Sequence, residues 1–134
     1  MNIRERISLT NGDLNDLLRR QERIAQGIQR LKEAGEDLGF LKFNVKTSLS
    51  RLKAKESLFK EWKGMQAKKI HYRLVDDTVW GCTDYLRKLD LIQDSIEREI
   101  TRLENQRYSN HKQITSLRNS LDMLEKETGG YAAW

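Results

Sequence analysis

The chain has 134 residues, a formal net charge of +5, no proline and one cysteine. Charged residues make up 34% of it and hydrophobic residues 37%, a balance that excludes an ordinary compact globule and suits long helices that each bury one stripe. A single cysteine excludes an intrachain disulfide, and no apolar run has the length of a membrane span or forms a Sec signal peptide. We therefore expect one domain, made in the cytosol.

The first predicted element is a helix over about 13–60, preceded by a loose lead-in. Thr10 and Asn11 are suitable N-caps, and Asp13 places negative charge in the first turn. The apolar positions alternate by threes and fours, as in the seam of a coiled coil. This first seam runs through Leu17, Gln21, Ile24, Ile28, Leu31, Gly35, Leu38, Lys42, Val45, Leu49, Leu52, Glu56 and Phe59.

The spacing loses phase around Trp62-Lys63-Gly64, where a glycine costs about 1 kcal/mol in a helix interior and favours a turn. A single unbroken helix would leave both apolar stripes in water, whereas folding back buries them against each other. The sequence therefore predicts an all-α, coiled-coil-like antiparallel hairpin whose turn lies at about 61–65. Residues 78–83 form a second soft point that could hold a kink or a short break.

The second predicted helix covers about 66–127, with Gly129-Gly130 as its C-cap and 128–134 as a short tail. Its seam follows the same alternation. It runs through Leu89, Gln93, Ile96, Ile100, Leu103, Arg107, Asn110, Ile114, Leu117, Leu121 and Leu124. The polar residues in both seams either set the register of the two helices or lie at the edge of their contact, and the sequence leaves both interpretations open.

Several large apolar residues fall off the two seams and would stay in water in a two-helix hairpin. They indicate an outer face that binds a further helix. The candidates for this partner-binding face are Leu14, Leu18, Leu41, Leu86 and Ile92.

The positive charge is concentrated in the first half, because residues 1–69 carry 16 Lys/Arg against 9 Asp/Glu and residues 70–134 carry 9 against 11. The basic segment at 42–69 is either a footprint for nucleic acid or a solvated face that complements the acidic second half. Aromatic residues are not interleaved with the basic ones as in a stacking platform, which favours the second interpretation.

Residues that carry chemistry are sparse. His71 and His111 are forty positions apart without metal ligands at helical spacing, and the carboxylates of Asp76 and Asp77 diverge on a helix. No phosphate-binding or nucleophile motif occurs. We expect no enzymatic activity, no catalytic, cofactor-binding or metal-binding residues, and no small-molecule substrate.

The W-x-G letters of Trp62 and Gly64, placed between two amphipathic helices, resemble the WXG or ESAT-like hairpins of bacterial type VII secretion. The longer chain, with Ala67, Tyr85 and Leu89 after the motif, more closely resembles the LXG-associated α-helical proteins of Gram-positive bacteria. The resemblance implies that Trp62 packs at the turn. Tyr72 and Asp76 match the Y-x-x-x-D/E letters of a type VII signal, although a local contact at i, i+4 also explains the pair.

The resemblance further implies a targeting factor or adaptor that binds the N-terminal helices of an LXG toxin, together with a second small helical protein in some assemblies. The expected location is the cytoplasm, with export alongside the partner by type VII secretion. Two alternatives stay open at this point. One is a nucleic-acid-binding protein that uses residues 42–69, and the other is a structural coiled-coil homodimer or scaffold.

Overall fold

The computed structural model describes residues 2–59 and 65–132, and it places them in two long helices without any strand. Helix α1 spans Ile3–Phe59 and helix α2 spans Met65–Ala132. Side chains are described for residues 2–55, for Lys69 and for residues 71–128. The predicted all-α class is therefore confirmed, whereas the turn predicted at about 61–65, with Trp62 and Gly64, lies outside the described residues.

Helix α1 begins ten residues earlier than the sequence predicted. Its N-cap is Asn2, whose side-chain Oδ1 accepts a hydrogen bond from the Glu5 amide at 2.8 Å. Thr10, predicted as a cap, lies inside the helix and donates its hydroxyl to the Arg6 carbonyl. The lead-in is helical because the three-four alternation continues backwards from Leu17. These earlier inward positions are Leu14, Thr10, Ile7 and Ile3, all buried or half-buried.

Helix α2 is longer and more regular than predicted. It continues through Gly129-Gly130 to Ala132, because glycine costs only about 1 kcal/mol in a helix and does not by itself end one. The soft point at residues 78–83 is continuous helix. Thr78 and Thr83 both donate their hydroxyls to the carbonyl four residues back, at 2.7 and 2.8 Å.

The contacts of the chain divide it into two compact units. Unit 1 comprises Met1–Leu31 and Glu99–Trp134, and unit 2 comprises Lys32–Arg98. In unit 1, contacts join Leu17 to Asn110, Gln21 to Arg107 and Gly27 to Leu103. As the residue number rises along α1, the number of the contacting residue in α2 falls, so the two segments are antiparallel.

Unit 2 has the same antiparallel arrangement. A Cβ atom on Gly35 would lie 3.9 Å from Ile96, whereas Lys42, one heptad later in α1, bonds to Gln93 and Asp90. Both predicted seams point inward, and every described seam residue except Arg107 is buried or half-buried. The most enclosed apolar side chains in the two units are Leu14, Ile24, Ile28, Val75, Leu89, Ile114 and Leu124.

Candidate protein-binding surface

The two seams define heptad positions, with inward residues at a and d and flanking residues at e and g. In α1, Lys42 is at a and Val45 at d; in α2, Gln93 is at a and Leu89 at d. Two antiparallel helices are related by a two-fold axis perpendicular to both. Positions e of both helices therefore share one side of the pair, and positions g share the other.

The contacts agree with this geometry in each unit. In unit 1, Asp13 and Arg20 of α1 and Gln106 and Gln113 of α2 are all g positions, and they line two adjoining open grooves. In unit 2, Lys46 and Asp90 are both e positions, and the charge of Lys46 acts on the Asp90 carboxylate. Each unit thus has an e side and a g side.

The partner-binding face predicted from the sequence is corrected at two of its five residues. Leu14 is only 9% exposed and belongs to the core of unit 1, because it lies three residues before Leu17 at position a. Leu86 lies three residues before Leu89, also at position a, and is half-buried. The other three predicted residues, Leu18, Leu41 and Ile92, are exposed.

The e side of unit 2 is charged and closed by contacts between the helices. Its α1 positions are basic or glycine, and its α2 positions are mainly acidic. In antiparallel order, the α1 residues Lys32, Gly39, Lys46 and Lys53 lie on the same side as the α2 residues Glu97, Asp90, Thr83 and Asp76. Lys42 forms an ion pair with Asp90 and donates a hydrogen bond of 2.7 Å to Gln93 Oε1. The hydrogen bond from Lys42, with a further contribution from the charge of Lys46, holds the pKa of Asp90 below its usual value.

This pairing is expected to make the stability of unit 2 sensitive to acid. A carboxyl group with a lowered pKa in the folded state stabilises the fold above its unfolded pKa, and that contribution disappears as the pH falls through the folded pKa. We expect Asp90→Asn to unfold at lower urea than the wild type at pH 7, with the difference shrinking towards pH 2–3. Urea titrations at several pH values measure this, with the exposed Asp94→Asn as control. A constant difference across pH would contradict the assignment.

The g side of unit 2 has a different chemistry. Its residues are Ala34, Leu41, Ser48 and Lys55 of α1 with His71, Thr78, Tyr85 and Ile92 of α2. Leu41, Tyr85 and Ile92 are 38%, 44% and 49% exposed. Leu41 and Ile92 each precede a member of the Lys42–Gln93 pair, so they flank that hydrogen bond on one side. Phe40 and Leu91, at the outermost position f, are also exposed.

Unit 1 presents a polar g side instead. The two grooves there are lined by Asp13, Arg20, Gln106 and Gln113 together with the small c-position residues Ser109 and Ser116. The core of the unit beneath them holds a polar layer. Asn110 is 5% exposed and donates its side-chain amide to the Leu17 carbonyl at 3.0 Å and to Gln21 Oε1 at 2.8 Å.

Comparison with known proteins identifies the family. The profile described as YwqH-like matches residues 6–126, which is most of the chain. The chain belongs to the YwqH-like family. This family is associated with LXG toxin systems. No curated protein and no solved structure matches the sequence.

The signal predicted in this YwqH-like chain lies within α2 of unit 2. Tyr72 is half-buried at position a of the seam, and Asp76 is exposed at position e. The two residues are one turn apart, but among the described hydrogen bonds none joins their side chains. The role of the pair as a secretion signal stays a prediction.

The structure also locates the single cysteine of the YwqH-like chain and bears on metal sites and membrane spans. Cys82 is half-buried at position d of α2. Within residues 2–59 and 65–132, no three His, Cys, Asp or Glu side chains come together as a metal site. Among the described helices, none is apolar over a stretch long enough to cross a membrane.

Sequence reasoning about this YwqH-like chain missed part of its exposed apolar surface. Extending the α2 seam back from Leu89 through Leu86, Cys82, Val79 and Val75 would have assigned Tyr85 to a g position beside Ile92. Unit 2 holds most of the exposed large apolar side chains described. They are Phe40, Leu41, Phe43, Leu74, Trp80, Tyr85, Leu91 and Ile92 in unit 2, and Leu9, Leu18, Tyr108 and Met123 in unit 1.

Proposed function

We propose that this chain is a non-enzymatic helical adaptor that binds the N-terminal helical domain of an LXG-type toxin. It would form the complex in the cytoplasm and accompany the toxin to a type VII secretion system. Family membership supports the toxin system as the setting. The observation that carries the binding role is the set of large apolar side chains that the two helices of unit 2 leave exposed.

The same surface favours a protein partner over a small molecule. Exposed side chains such as Phe40, Leu41, Leu91 and Ile92 stand out along helices rather than around an enclosed cavity. Helices recognise one another through apolar residues repeated at three- and four-residue spacing, and the partner domain is expected to supply such a helix. Most of the affinity would come from burying these side chains.

Nucleic-acid binding through the basic segment is less well supported. Lys42 is engaged by Asp90 and Gln93, and Lys46 lies within the electrostatic reach of the same carboxylate. Lys42 is therefore engaged within unit 2, and the Asp90 carboxylate offsets part of the charge of Lys46, which lowers the attraction of these two lysines for phosphates. Any affinity for DNA or RNA should be weak and should fall steeply with salt.

Co-expression tests the proposal. The chain is produced with the N-terminal domain of an LXG protein encoded beside it, and the two are purified through a tag on one partner and run on size-exclusion chromatography. We expect co-elution of the two proteins, and no co-elution with the N-terminal domain of an LXG protein from an unrelated genome. Independent elution of the neighbouring pair, with both proteins folded by circular dichroism, would contradict the adaptor role.

A further inference from the structure

We propose that the g side of unit 2 is the docking surface, and that its occupant is an amphipathic α-helix whose apolar stripe is flanked by acidic side chains. The inference rests on the proposed function, because the helix would come from the toxin domain. It goes further by selecting one side of one unit and by stating the charge of the partner.

The first argument is the difference between the two sides of unit 2. Basic residues of α1 lie opposite acidic residues of α2 on the e side, and Lys42 with Asp90 closes that side within the chain. The described g positions of unit 2 contain no carboxylate, so the equivalent intramolecular pairing cannot close their side. Charges at e and g select the partner of a helix. The e side thus selects α1 for α2, and the g side is left for another helix.

The second argument is the width of the apolar stripe. A two-stranded coiled coil needs apolar residues only at a and d, whereas a helix inside a bundle carries them at a, d and also e or g. In α2 of unit 2, Tyr85 and Ile92 at g widen the seam formed by Leu86 and Leu89, and in α1 Leu41 widens the seam beside Leu38. Unit 2 therefore has the residue pattern of a bundle that lacks a helix.

The third argument is that small residues on the g side leave room for a third helix to approach closely. Small residues separate the large ones on the g side: Ala34 and Ser48 lie on α1, and Thr78 lies on α2 with Gly81 at the neighbouring c position. A Cβ atom added at Gly81 would meet nothing within 4 Å. A third helix could place its own large side chains over these positions, between Leu41, Tyr85 and Ile92.

The charges along the g side decide between possible occupants. At its c and g positions the described residues include Arg51, Lys55 and Lys88 but only one carboxylate, Asp37. Lys88 also pairs with Asp84 at 3.1 Å, which leaves Arg51 and Lys55 as the main positive charges of the rim. An acidic partner helix complements this rim. A second copy of the chain would bring the same positive rim against it, so a homodimer through this side is disfavoured.

The test locates the contact within the complex. In a Cys82→Ser background, Ile92→Cys on the g side and Thr83→Cys on the e side are each labelled with an environment-sensitive fluorophore, and the LXG N-terminal domain is added. We expect the label at position 92 to shift to shorter wavelength and the label at position 83 to stay unchanged. Size-exclusion chromatography of the unlabelled chain and of each labelled variant checks that the complex forms.

Charge variants provide the second readout. Leu41→Glu with Ile92→Glu should raise the Kd for the LXG domain by about 100-fold, and Arg51→Glu with Lys55→Glu by about tenfold. The matched control for the Leu41 and Ile92 variant is Gln106→Glu with Gln113→Glu. It also adds two negative charges, but at g positions of unit 1, and it should leave the Kd within about threefold. Circular dichroism checks that every variant keeps its helices.

The outcomes separate the two proposals. A normal complex in which only position 83 responds, or in which the unit 1 control loses binding instead, would overturn the docking side and leave the adaptor role standing. Absence of any complex with the unmodified chain would overturn both. Self-association of the chain alone with a blue-shifted label at position 92 would show that a second copy is the occupant and would overturn the acidic-helix proposal.

Discussion

Replacing Leu89 by alanine is expected to lower the free energy of unfolding by about 2–4 kcal/mol, the range for truncating a buried leucine where the surroundings relax only partly. Leu89 is 3% exposed and lies at position d, so the truncation leaves a cavity between α1 and α2 in unit 2. Urea unfolding followed by circular dichroism at 222 nm measures the loss.

The chain supplies a matched control two residues away. Leu91 has the same side chain on the same helix, but it is 54% exposed at the outermost position f. Leu91→Ala should change the free energy of unfolding by less than about 0.5 kcal/mol, as for most surface substitutions. Similar losses in the two variants would mean that the assignment of inward and outward positions in unit 2 is wrong.

A second large effect is expected at the polar layer of unit 1. Asn110→Asp changes few atoms, but it replaces an amide donor by a carboxylate that faces the Leu17 carbonyl and Gln21 Oε1, both of which are acceptors. A buried charge without donors is costly, and we expect a loss of about 2–4 kcal/mol at pH 7. In the protonated acid the hydroxyl can donate one of the lost bonds.

The pH dependence follows from the direction of that change. Burial against acceptors should raise the folded pKa of the new Asp, so the variant binds its proton more tightly when folded than when unfolded. Its deficit relative to the wild type should therefore be small at low pH and grow as the pH rises above the unfolded pKa. Asn105→Asp is the matched control, since Asn105 lies exposed on the same helix and its substitution should cost little at any pH. A deficit at pH 7 no larger than that of the control would contradict the buried layer.

The fold could largely be predicted from the sequence, because the seam residues repeat with a period that only a helix satisfies. The seams place Ile24 and Ile28 of α1 inward, together with Leu89 and Ile114 of α2, and each of the four is buried. The helix ends were harder to predict. Asn2 begins α1 ahead of two equally good caps, and Gly129-Gly130 lies inside α2, because local signals of about 1 kcal/mol are outweighed when the helix can extend.

The surface was predicted less well than the core. Seams that begin at Leu17 and Leu89 place Leu14 and Leu86 outward, whereas the same alternation continued three residues back includes both, and the structure has both inward. Whether the side chains at g or those at e stay exposed depends on which residues of the other helix lie opposite them. For Lys42 this meant Asp90 and Gln93, about fifty positions away, and the register that brings them together is set by the whole seam. One-helix periodicity carries no information on that pairing.

The antiparallel pairing also limits how the length of such a chain can vary. Asn110 bonds to Gln21 in unit 1, and Lys42 bonds to Gln93 in unit 2, so each polar layer ties one position of α1 to one position of α2. An insertion in one helix alone would shift every pair on one side of it, and an insertion that is not a whole number of heptads would also rotate the apolar face relative to the seam. Longer or shorter members of the family should therefore differ by whole heptads, gained or lost at the same level in both helices.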